Sequence, residues 1–124
     1  MSNVEMRDYK MKADMAQAMH LCHELDRESS PYTADLRKNL DVNAKKLRRM
    51  GSDMYAARME NNQASEEKIW SSAVETMTKM KEDLGWAAGA LYRHSPALAK
   101  PWVTEYDACM KPSQVINDSQ MSTA

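Results

Sequence analysis

From Ser65 to His94 the chain runs without a proline, and apolar side chains recur at Ile69, Ala73, Met77, Met80, Leu84, Ala87 and Leu91. Their spacing of three or four residues is the stripe of an amphipathic helix. Thirty residues at about 1.5 Å each give a rod of roughly 45 Å, against which the other segments are long enough to pack. Only three glycines and four prolines punctuate the 124 residues, and β-branched residues are sparse, so helix is favoured over strand. The expected fold is all-α: a compact antiparallel bundle of four to five helices in one domain, residues 1–112, followed by a mobile tail, residues 113–124.

A first helix is expected from an N-cap near Asn3 to Arg27–Ser29, with the stripe Val4, Met11, Met15, Ala18, Cys22 and Leu25. Ser30-Pro31 pairs a capping residue with a proline at the first helical position. The connection is short, so the second helix should run antiparallel to the first. It carries Leu36, Leu40, Ala44, Leu47, Met50 and Met54. Gly51 leaves two readings open: a nearly continuous but kinked helix, which we favour, or a break with Ser52 capping a new one. Arg58 falls on the phase of Leu40, and a charge pointing inward there argues for the bend. Gly85 and Gly89, with neighbouring alanines, make a smooth strip for close packing against the first helix or the C-terminal segment. Ser95-Pro96 and Lys100-Pro101 predict a corner with one helical turn, then a last helix from Pro101 to about Lys111.

The chain holds no phenylalanine but twelve methionines. Met11, Met15 and Met19 repeat at helical spacing, as do Met50, Met54 and Met59, and core packing explains most of them. Met6 and Met19 lie off the main stripe and make the first helix apolar on more than one side. Such a helix is either central or covered by a partner, and flexible thioethers suit adaptable recognition.

Net charge is −1, unevenly spread. Residues 1–36 sum to −3 (four cations, seven anions), residues 37–58 to +5 (seven and two) and residues 59–124 to −3 (six and nine). Arg37, Lys38, Lys45, Lys46, Arg48 and Arg49 fall mainly opposite the apolar stripe of the second helix. They fit an acidic protein surface, phosphates, or simply solvent.

Catalytic and metal-binding signals are weak. His20 and His23 share a helix face with Glu24 nearby, but a catalytic zinc needs three protein ligands, and the chain lacks HExxH. Neither GxSxG nor a glycine-rich phosphate loop occurs. Glu66/Glu67 and Glu82/Asp83 are adjacent pairs that diverge by about 100° on a helix. No enzyme activity, cofactor or metal is expected. Cys22 and Cys109 form no CxxC pattern, which fits a reducing cytoplasm. No signal peptide and no run near the ~20 apolar residues of a membrane span is visible.

The functional expectation is therefore a small, non-enzymatic, cytoplasmic module that binds and modulates a larger protein or nucleoprotein complex. An adaptor, a secretion chaperone or a phage-type, anti-CRISPR-like inhibitor fits that description. Its contact residues would be the six basic residues named above with Met6 and Met19. Direct nucleic-acid binding by the basic helix is the alternative, and a homodimer is compatible with the extra apolar face.

Overall fold

The computed structural model describes residues 2–97 and 99–109, and among these no strand occurs. Helix α1 spans Asn3–Glu28. A single 3-10 turn, Pro31–Thr33, leads into α2, Ala34–Met59. Helix α3 spans Gln63–His94, and residues 96–97 and 99–109 are helical and form α4. The chain is an all-α bundle in which each helix reverses the direction of the one before. The expected mobile tail, residues 113–124, lies outside the described residues.

The caps show why the helices begin where they do. Ser2, one residue before the expected Asn3, accepts the Glu5 N–H at 3.1 Å, while Glu5 receives the Ser2 N–H in return. This capping box satisfies two donors that an open helix start would leave bare. Ser29 ends α1 in the left-handed region at φ 51°. Asn62, not Ser65, caps α3, accepting the Ser65 N–H at 3.1 Å, so the rod starts two residues earlier than its apolar stripe suggests. Asn61 takes φ 55° in the α2–α3 turn, a conformation that asparagine tolerates better than most residues.

Helix α3 is the axis of the core. Ala73, Met77, Met80, Leu84, Ala87 and Leu91 are all buried, as the stripe predicts, and Ile69 is half-buried. Leu40, Ala44 and Leu47 of α2 pack with them, and so do Ala18, Leu21 and Leu25 of α1. Helix α2 runs through Gly51 without interruption. The inward phase of Arg58 is resolved by charge: its guanidinium bonds Asp8 of α1 and Glu66 of α3. No bend is needed to carry it out to solvent.

Two features of α1 depart from its expected stripe. Val4 is exposed, whereas Leu21, which is missing from that stripe, is fully buried. The reason is α4. Trp102, 2% exposed, donates its indole N–H to the Leu21 carbonyl at 3.0 Å and covers that side of α1. Tyr106 stacks on Trp102 and brings its hydroxyl against Gly85 of α3, where an added Cβ would lie 3.3 Å away. The close approach expected at the glycine strip thus occurs at Gly85, while nothing lies within 4 Å of the Gly89 position. Residues 99–109 are helical straight across Lys100-Pro101, so the separate last helix from Pro101 is not formed.

Candidate functional site

Helix α4 covers the groove between α1 and α3 near Leu21 and Gly85, while nearer the start of α1 that groove stays open as a cavity of about 430 Å³. Along the other side of α1 lies the open groove between α1 and α2. It has two sections. The section near the start of α1 is an apolar cavity of about 250 Å³ walled by Met11 and Met15 of α1 and Leu47, Met50 and Met54 of α2. Trp70 and Ala73 of α3 line it too, and Asp8, Lys12, Tyr55 and Arg58 stand around it. The other section is smaller, about 110 Å³, and more polar: Met19, Cys22, His23 and Asp26 face Arg37, Leu40, Asp41, Ala44 and Arg48. Antiparallel α1 and α2 set the two sections end to end along one seam, a valley that runs from Asp8 and Arg58 to Asp26 and Arg37.

The valley follows from side-chain choice. Met11, Met15 and Met19 of one run and Met50 and Met54 of the other turn toward it, while Met59 is exposed away from it, so much of its wall is thin, flexible thioether side chain. Gly51 contributes no side chain, and nothing approaches within 4 Å of where its Cβ would stand. Helix α1 is held at three places outside the valley. At its start Arg7 bonds both oxygens of Glu67 at 3.0 Å and stacks on the Trp70 ring at 4.2 Å. Asp14 meets Lys81 of α3 at 3.2 Å. Behind it stands Trp102.

The electrostatics are lopsided. Asp8 is matched by Arg58, and Asp41 by Lys45 at 3.1 Å. Among the described residues Lys12, Lys38, Lys46, Arg48 and Arg49 have no ion-pair partner, so the surplus around the valley and on the outer side of α2 is positive. The Cys22 thiol sits among carboxylates. Burial first, then Asp26, Asp41 and Asp83, pushes its pKa up to about 12, which leaves almost no thiolate nucleophile at neutral pH. Burial and Glu105 raise Cys109 as well.

The expected contact residues divide accordingly. Met19, Arg37 and Arg48 line the valley, and Lys38, Lys45, Lys46 and Arg49 are exposed on the outer side of α2. Arg37 also has a structural duty, donating to Thr33 Oγ1 at 3.2 Å and the Ser30 carbonyl at 3.0 Å to hold the α1–α2 corner. Met6 stands apart, in the groove between α1 and α3 with Trp70, Val74 and Met77. His20 bonds Glu105 of α4, and among the described residues no three His, Cys, Asp or Glu side chains are grouped to hold a metal. Sequence reasoning missed Lys12, Gly51 and Tyr55. Only the pairing of α1 with α2 brings them to the same opening.

No known protein family, curated protein or solved structure matches the chain. Function therefore has to be argued from the valley itself.

Proposed function

We propose that the protein is a non-enzymatic binding module that captures a segment of a larger protein in the valley between α1 and α2. The observation that carries this reading is the meeting of Met11, Met15, Met50 and Met54 around an open apolar cavity. Grooves of this kind bury apolar anchors of a partner, and methionine adapts its three rotatable bonds to the anchor's shape. Trp102 covers α1 at Leu21 and not at Met6, which stays 46% exposed in the groove between α1 and α3. The proposed contact is the valley because four methionines converge on it. Adaptor, chaperone and inhibitor roles all work by such one-to-one capture.

Gly51→Leu offers a test that does not threaten the fold. Its Cβ meets nothing, and leucine is a far better helix residue than glycine. The new side chain would occupy the cavity. Immobilised wild-type protein and Gly51→Ala should retain the same partner from native lysate, identified by mass spectrometry, while Gly51→Leu should lose it with an undiminished melting temperature. Equal capture by all three would contradict the valley as the binding site.

Exposure of Lys38, Lys45, Lys46, Arg48 and Arg49 along α2 favours a second reading, direct contact with nucleic-acid phosphates. That reading requires binding to bare oligonucleotide that weakens steeply with salt, as counterion release dictates. It also requires that binding survive Gly51→Leu.

A further inference from the structure

The valley is selective in charge as well as in shape. Resting on the protein-binding reading, we infer that its occupant is an acidic amphipathic helix: apolar on one side, with Asp or Glu along both edges of that side. Shape comes first. The α1 wall from Asp8 to Asp26 covers 18 helical steps, about 27 Å at 1.5 Å per residue. A guest helix of about five turns matches that length, with anchors recurring every three or four residues against the methionines. Gly51 leaves the α2 wall low where such a helix would lie, allowing the two backbones to come close without displacing a side chain.

Charge comes second. Of the valley's three carboxylates, Asp8 and Asp41 are engaged by Arg58 and Lys45, and Asp26, at the far end, has no ion pair among the described residues, against four cations, Lys12, Arg37, Arg48 and Arg58. Lys12 on the α1 rim and Arg48 on the α2 rim have no ion-pair partner among the described residues, and Arg49 lies one residue further round α2. A guest with acidic edges meets Lys12 on one side and Arg48 on the other. A guest with basic edges meets like charge on both. Complementarity of this kind selects partners more than it adds affinity.

The test uses the full chain with methionine methyl groups labelled with carbon-13 and two synthetic 18-residue helical peptides. The peptides share one leucine stripe and carry either glutamate or lysine along its edges. The glutamate peptide is expected to move the methyl signals of Met11, Met15, Met50 and Met54 while leaving the buried Met80 unchanged. It should bind about tenfold or more tightly than the lysine peptide, and Lys12→Glu with Arg48→Glu should reverse that order. Both substitutions are at the rim and leave the core intact. Equal binding of the two peptides, an order unchanged by the charge reversal, or no binding of either would overturn the proposal. If the proposal fails in this way while lysate capture still depends on an unfilled Gly51 site, the protein-binding reading stands with a different guest. If Gly51→Leu also leaves lysate capture unchanged, the valley reading falls with it.

Discussion

Arg58 lies 18 residues after Leu40, five turns of α2, and so shares its phase, yet its side chain is exposed where Leu40 is buried. Asp8 and Glu66, brought from α1 and α3, answer that charge at the bundle's edge. The neighbouring clamp between Arg7 and Glu67 has a pH signature. Hydrogen bonding to Arg7 holds the Glu67 carboxyl below its ordinary range. A depressed carboxylate stabilises the fold above its unfolded pKa, and that contribution is lost as pH falls through the folded value. Glu67→Gln should therefore lower the melting temperature slightly at about pH 7 and make no difference at about pH 2, below the ordinary carboxylate range. An equal deficit at both values would mean that charge is not what the contact supplies. The thiol of Cys22 gives a second reading at this scale. Pushed up to about 12 by burial and three carboxylates, it should react with a disulfide reagent at neutral pH far more slowly in the folded protein than after denaturation. Fast labelling of native Cys22 would mean that the polar section of the valley is more open to solvent than its burial implies. Asp83 is the residue no pattern announces: it lies on the buried side of α3, 2% exposed, with Lys79 at 3.2 Å and its second oxygen without a partner among the described residues.

Helix spacing made α3 readable almost residue by residue, because one stripe faces a single continuous core. Helix α1 was harder. It is buried from two directions, toward α2 and α3 and toward α4. Leu21, three residues after Ala18 and four before Leu25, fits the same spacing but is missing from the expected stripe, and no local signal ties it to Trp102, 81 residues away. Trp102→Ala should cost about 3–5 kcal/mol by urea denaturation, the range for losing a buried aromatic. A loss below about 1 kcal/mol would place α4 outside the cooperative unit. Gly51 taught the opposite lesson. Glycine left open a kink or a break, and α2 is one continuous helix through it, with no neighbour among the described residues close to its Cβ position. Gly51→Ala should stabilise the protein by about 1 kcal/mol, the helix-propensity difference, and any destabilisation would show that the glycine relieves a contact absent from this structure.

At the scale of the molecule, α4 covers only part of the groove between α1 and α3, and the α1–α2 valley collects five methionines, Met11, Met15, Met19, Met50 and Met54, beside a basic helix. The basic residues were legible in the sequence, since charge clustering and helical phase are local properties. The valley was not, because it exists only once α1 and α2 are set antiparallel with Met11 and Met15 facing Met50 and Met54. None of the described helices is long and apolar enough to cross a membrane. The central claim, that these four methionines border open space, can be tested without any partner. In protein labelled at methionine methyls, a dissolved paramagnetic gadolinium chelate should broaden the signals of Met11, Met15, Met50 and Met54 well before those of the buried Met77 and Met80. Six signals equally protected would mean that the valley is shut, and the account of binding built on it would be contradicted.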